Sequence, residues 1–143
     1  MLYLSGKWSP GPQLNKERTA STSGLLRDHG TNETVLVVVG GRGTRLNSIE
    51  VLRIQQDEPK WILLQNLPFP IMAHSMIEFD NDLIVIGGYA RFEDDHDGAS
   101  PYILRLYCIN GNCQWDTLPQ QLKFPRFDGV AMKIPNDFFA LDE

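Results

Sequence analysis

The chain has 143 residues, enough for one domain with a sizeable core, and its net charge of −5 speaks against a nucleic-acid surface, which would need a basic face. No apolar run approaches the ~20 residues that span a bilayer as a helix, and the opening "MLYLSGKWSPGP" lacks the basic segment and long apolar stretch of a secretory signal. The twelve glycines and nine prolines are spread along the chain, as turns between short strands require, and no window carries a long apolar pattern at helical spacing, so the expected fold class is all-β.

Taken in chain order, "LYL" (2–4) and "WSPGPQL" (8–14) are the first short strands, and Gln13 to Ala20 has room for about two helical turns at most. Strands are then predicted from Arg18 to Leu26, Val35 to Gly41, Ser48 to Ile54 and Trp61 to Leu67. A second set runs from Met72 to Phe79, Leu83 to Gly88, Tyr102 to Cys108 and Gln114 to Leu118. "FDGVAMKI" (127–134) and "FFAL" (138–141) close the series.

Two of these strands run into glycine pairs, "LVVVGGR" (36–42) and "LIVIGGY" (83–89). Lining up Gly40-Gly41 with Gly87-Gly88 brings other signals into step. Trp61 recurs as Trp115, Leu67-Pro68 as Leu118-Pro119, and Phe69-Pro70 as Phe124-Pro125. The dipeptide "ND" precedes an apolar strand at 81–82 and again at 136–137, and Trp8 heads a third copy with Arg18 where Ile71 and Arg126 stand later. A period near ~50 residues with glycine pairs and a spaced tryptophan is the size of a kelch repeat.

On these residues the chain resembles the kelch-repeat β-propeller family over nearly its whole length. It departs from the pattern at Ile71, where an arginine is expected, and at Asp142-Glu143, where a glycine pair is expected. The resemblance implies four-stranded antiparallel blades around a channel, with strands A to D running from the axis outward. Residues 18–67 and 72–118 then form two blades, residues 1–14 supply strands C and D of a partial blade, and residues 126–141 supply strands A and B. About three blades is fewer than the ~4–8 of a closed ring, so the chain is expected to be part of a longer ring, or to self-associate through open blade edges. The glycine pairs are expected to end strand B where the ring is too crowded for side chains.

Few residues offer chemistry. "GGRGTR" (40–45) lacks the lysine and Ser/Thr of a phosphate-binding loop, and no helix follows it. His29, His74 and His96 share no metal-ligand spacing with one another or with the cysteines. "EDDHDG" (93–98) places Glu93, Asp95 and Asp97 before Gly98, but the calcium-loop pattern then needs a carboxylate where Leu104 stands. No catalytic, metal or cofactor set is therefore expected.

"CINGNC" (108–113) holds Asn110-Gly111, a strong type I′ hairpin signal, which sets Cys108 opposite Cys113 as a non-hydrogen-bonded pair. That proximity predicts a cross-strand disulfide and an oxidising compartment, with free thiols in the cytosol as the alternative. The sequon at Asn32 to Thr34 is a weak second sign of secretion.

The function expected of such a propeller is non-catalytic: rim loops on a rigid ring bind a protein partner, as in cytoskeletal or adaptor-type kelch scaffolds. The alternatives are a fragment of a kelch-type enzyme such as a copper oxidase or specifier lyase, and a truncated product without activity. The expected binding rim carries the two B–C connections, with Arg42 and Arg45 on the first and Arg91, Phe92, Glu93, Asp94 and Asp95 on the second. The D–A segments around Phe69 and Phe124 share that rim, while the short turns "DND" and "INGN" lie on the other.

Overall fold

Val35, Val37 and Val39 are buried while Leu36 and Val38 are half-buried, the period of two that a pleated strand imposes on successive side chains. The computed structural model describes residues 2–4 (as backbone), 6–43, 47–64, 67–91 and 97–134, and it places this strand inside a four-stranded antiparallel sheet. In chain order the strands are β1 (Leu2–Leu4), β2 (Lys7–Ser9), β3 (Thr22–Arg27), β4 (Thr34–Val39), β5 (Ile49–Arg53), β6 (Ile62–Leu64) and β7 (Ile71–Met72). They continue as β8 (Ser75–Phe79), β9 (Asp82–Ile86), β10 (Tyr89–Arg91), β11 (Asp97–Ala99), β12 (Tyr102–Ile109) and β13 (Asn112–Gln121).

The first sheet has the order β3-β4-β5-β6 and the second β8-β9-β12-β13, so each is a simple meander. The protein is all-β, with no helix among the described residues. β3 lies against β8 and β9, and the two sheets share one apolar cluster that includes Val37, Val39, Ile49, Ile71, Leu83, Val85, Leu104 and Leu106. β1 and β2 form a separate hairpin.

Three expectations need correcting. The connection from Tyr89 to Pro101 is not only a loop: β10 and β11 form a ribbon that adds to β7, because β7 leaves an edge free beside Tyr89 and Ala90. The pairs Leu67-Pro68 and Leu118-Pro119 are not equivalent, since β13 runs through Leu118 to Gln121 and Leu122 takes the place of Leu67. Residues 127–134 form no strand ladder among the described residues, and Val130, Met132 and Ile134 are exposed. The partner strand expected for them, 138–141, lies outside the described residues, as do Asn136-Asp137 and Asp142-Glu143.

The way one repeat docks on the next recurs bond for bond. Gly41 N–H donates to Ile71 O at 2.8 Å, and Gly88 N–H to Arg126 O at 2.9 Å. Ala73 N–H donates to Ala20 O, and Asp128 N–H to Ala73 O, both at 2.9 Å. Leu67 N–H donates to Asn47 O at 3.1 Å, and Leu122 N–H to Pro101 O at 2.8 Å. Ala20, Ala73 and Asp128, the three equivalent residues, all adopt left-handed backbone with φ of 52°, 51° and 53°.

This recurrence explains the glycine pairs. A Cβ on Gly40 would lie 2.2 Å from Ile71 O, and one on Gly87 would lie 2.5 Å from Arg126 O, while all four glycines have positive φ. At Gly40 and Gly87 the collision is with the backbone of the following repeat, whereas a Cβ on Gly41 would meet Thr19 O at 2.9 Å and one on Gly88 would meet His74 Cβ and Ile71 Cγ1 at 2.8 Å, each within its own repeat.

It also explains the missing arginine. Arg18, with a fully buried side chain, pairs with Glu50 at 3.1 Å and donates to Gly40 O, Ser48 O and Ser48 Oγ. Glu50 further accepts from Asn15 N, Asn15 Nδ2 and Lys16 N. In the second sheet Ile71 occupies the place of Arg18, and Leu104 occupies that of Glu50, because Val38 faces Glu50 as Val85 faces Leu104. An ion pair in one repeat has become an apolar pair in the next, and Ile71 and Leu104 are both buried.

Substitution of Gly40 by Ala is therefore expected to lower unfolding free energy by about 3 kcal/mol or more, since strain at φ +55° adds to the clash with Ile71 O. Gly98→Ala, with no heavy atom within 4 Å of the added Cβ, is expected to change it by less than about 0.5 kcal/mol. Urea unfolding of both variants checks the pair.

Candidate functional site

The strand register divides the turns between two rims, and the two differ in how their charges are used. On one rim lie the β3–β4 turn, the β8–β9 turn and the β12–β13 turn. Asp28, 1% exposed, accepts four backbone N–H bonds there: Gly30 and Thr31 of its own turn, and Asn110 and Gly111 of the other sheet's hairpin. Burial alone would raise its carboxyl pKa, but the donors Gly111, Thr31, Gly30 and Asn110 outweigh that and hold it well below the usual carboxylate range.

Arg53 bridges Asp28 at 3.5 Å and Glu33 at 2.6 Å. His29 N–H donates to Cys108 O, its Nε2 lies 2.7 Å from Asp82 Oδ1, and Arg105 holds the other oxygen of Asp82. Arg27 N–H donates to Asn81 O, so backbone bonds as well as charges cross from sheet to sheet. This rim is a clasp in which the buried acids Asp28 and Asp82 are bonded from both sheets.

The opposite rim has a cleft of about 170 Å³ between the sheets, lined by Gly41–Gly43, Pro70–Met72, Tyr89, Arg91 and Asp97. Its position follows from the docking bonds, because Gly41 N–H on Ile71 O pins one wall and the ribbon of β7, β10 and β11 builds the other. Arg42 is fixed by backbone bonds to Thr19 in both directions, and its exposed guanidinium makes no ion pair with any described residue. Arg91 sits opposite Asp97 across the ribbon, 3.6 Å away. The ring of Tyr89 meets Phe127 edge-on at 5.5 Å.

Of the residues expected to bind a partner, Arg42 and Arg91 thus come together in one cleft. Arg45, Phe92, Glu93, Asp94 and Asp95 lie outside the described residues. Sequence reasoning missed Pro70, Met72 and Tyr89, although the aromatic directly after Gly88 was a visible signal for the last. Phe69 packs against Tyr102 at 5.7 Å, while Phe124 is 64% exposed.

The remaining expectations can be placed. Cys108 and Cys113 face each other in register and form a disulfide. Of the repeated tryptophans, Trp8 is 66% exposed, and Trp61 and Trp115 are half-buried beside the outermost strand of each sheet. Trp61 Nε1 donates to Pro12 O, and Trp115 packs on the rim of the core cluster.

His74 is buried between the sheets with Nε2 in a short hydrogen bond to Thr22 Oγ1, and its Nδ1 has no described partner. Burial pushes its pKa down to about 4. No three His, Cys, Asp or Glu side chains cluster in metal-binding geometry among the described residues, and His96 lies outside them.

No family model matches the chain. None of the curated proteins matches it. Its fold is similar to that of the solved structure of YjhT, with a TM-score of 0.68 and 16% sequence identity over 85% of this chain. The match spans 32% of the YjhT chain, so this protein corresponds to about a third of that structure.

Stability should fall with acid in two stages. A buried neutral histidine binds no proton in the folded state until pH nears 4, whereas the unfolded chain takes one near 6.5, so the His74 contribution is lost as pH falls from about 6.5 to about 4. That difference is worth about 3 kcal/mol. The depressed carboxyls of Asp28 and Glu50 act later, losing their contribution as pH drops below their ordinary values. Urea midpoints taken from pH 7.5 to 3 should show both stages in the parent, and His74→Gln should remove the first alone.

Proposed function

We propose that the chain is a segment of a kelch-type β-propeller and serves as a non-catalytic protein-binding module, taking a carboxylate-bearing peptide segment of its partner in the rim cleft. The propeller reading is supported by two four-stranded meanders packed with their first strands adjacent, and by docking bonds that recur from repeat to repeat. The likeness to the YjhT structure supports it at the level of fold.

One observation carries the choice of rim. The clasp rim holds its buried acids Asp28 and Asp82 in bonds between the sheets, whereas on the cleft rim Arg42 presents a guanidinium held by its backbone and in no ion pair with a described residue. Such a group binds carboxylates in two parallel hydrogen bonds, and Arg91 and Tyr89 beside it widen the contact. The Cys108–Cys113 disulfide favours a protein that works in an oxidising compartment.

Short peptides selected from a random display library against the full chain should be enriched in Asp and Glu. Their affinity should drop about tenfold in Arg42→Ala and in Arg91→Ala, as expected for the loss of one charged contact, with the melting temperature within a degree or two of the parent. Selected peptides without acidic residues, or with unchanged affinity for both variants, would move the binding surface elsewhere.

A further inference from the structure

The β3–β4 turn, residues 28–33, is longer than its counterpart between β8 and β9, which is only Asp80 and Asn81. The extra residues put Asn32 at the surface, beside exposed His29, Gly30 and Thr31. Asn32 adopts left-handed backbone with φ of 59°, which asparagine tolerates better than most residues, and its N–H donates to Asp28 O at 2.8 Å. The Asp28 carboxylate holds the rest of the turn through the amides of Gly30 and Thr31. Asn32 is therefore exposed but fixed in place.

The two ends of its side-chain amide are used differently. Arg27 donates to Oδ1 at 3.2 Å, whereas Nδ2 makes no hydrogen bond to a described residue. Asn32, Glu33 and Thr34 form an Asn-X-Thr acceptor without proline, and no other asparagine of the chain has Ser or Thr two residues on. The Cys108–Cys113 disulfide is an independent observation, because the compartments that oxidise such a pair include the lumen in which sugars are transferred to asparagine.

We propose that Asn32 is an N-glycosylation site, and that its oligosaccharide covers the clasp rim while the cleft rim stays open. In the transfer, Nδ2 bonds to the anomeric carbon of a lipid-linked oligosaccharide. The bond from that carbon to a phosphate oxygen breaks, polyprenyl diphosphate leaves, and one Nδ2 proton is lost to the transferase. The product keeps the amide carbonyl, so the bond from Arg27 survives. Neither the Asp28 nor the Asp82 carboxylate takes a bond from the Asn32 side chain, so the sugar leaves the bonds between the sheets intact. The inference rests on the disulfide's implication for the compartment and is independent of the rim cleft.

The test uses the full chain, secreted behind a cleavable leader from cells that perform this transfer. Its intact mass should exceed that of the polypeptide by one oligosaccharide. A peptide N-glycanase should remove the excess and leave aspartate in place of Asn32 in the tryptic peptide 28–42. Asn32→Gln and Thr34→Val should each lack the sugar, and Thr34→Ser should keep it. A disulfide-bonded chain, secreted or retained, with Asn32 unmodified would overturn the proposal, as would a sugar that persists in both Asn32→Gln and Thr34→Val. Acidic peptides selected at the cleft should bind the glycosylated and the glycanase-treated chain equally, and weaker binding to the glycosylated form alone would overturn the placement of the sugar. The mass readout stands whether or not the cleft binds acidic peptides.

Discussion

The hydrogen bond from Gly41 N–H to Ile71 O, with its repeat from Gly88 N–H to Arg126 O, is the constraint on which the rest of the structure depends. It lets a carbonyl of one repeat enter the space where the preceding repeat would otherwise carry a Cβ. The bond sets how far apart the sheets stand at that end, so it decides where the following strand begins. It also pins one wall of the rim cleft. Without the glycine pair the sheets would separate at this rim, and Arg42 and Arg91 would no longer share a site.

Behind that bond, the two repeats fill the same space by opposite means. Arg18 and Glu50 are both wholly buried, and such a pair costs desolvation that its mutual attraction only partly offsets. Burial would raise the carboxyl of Glu50, yet donors from Asn15, Arg18 and Lys16 hold it below the ordinary range. Those donors reach it from the segment before β3, so the ion pair also ties an irregular stretch of chain to the first sheet. Ile71 and Leu104 avoid the desolvation cost but offer no such anchorage. There the task passes to β7, which is held instead by pairing with β10.

Much of this was legible in the sequence because repetition makes weak signals strong. The glycine pairs, the order of Trp, Pro and aromatic residues, and the apolar runs between them placed the strands of both sheets close to where they lie. Asn110-Gly111 set the hairpin register well enough to pair Cys108 with Cys113. What could not be read were contacts between residues far apart in sequence and unlike in type. Asp28 gave no local sign that it would grip a turn some eighty residues away, since an acid in a turn usually caps its own backbone. The ribbon of β10 and β11 was hidden for a related reason: it depends on the free edge of a two-residue strand that no periodicity can announce. Candidate site residues were legible in part, through the arginines that follow each glycine pair.

The contrast between the rims links stability to function. At the clasp, Asp28 ties four amides from two sheets to one carboxylate, and each bond to a charged acceptor is worth more than a neutral one. The disulfide fixes the hairpin that donates two of those amides. The sheets are thereby locked at one end by groups that have nothing left to offer a ligand. At the other end backbone bonds, the hydrogen bond between His74 and Thr22 and a narrow ribbon join them, and the guanidinium of Arg42 is exposed. A binding cleft gains affinity when its walls need not reorganise, because ordering costs are then met by the fold rather than by the ligand. The clasp supplies that rigidity from a distance, so the rim opposite the cleft is the one that holds the cleft in shape.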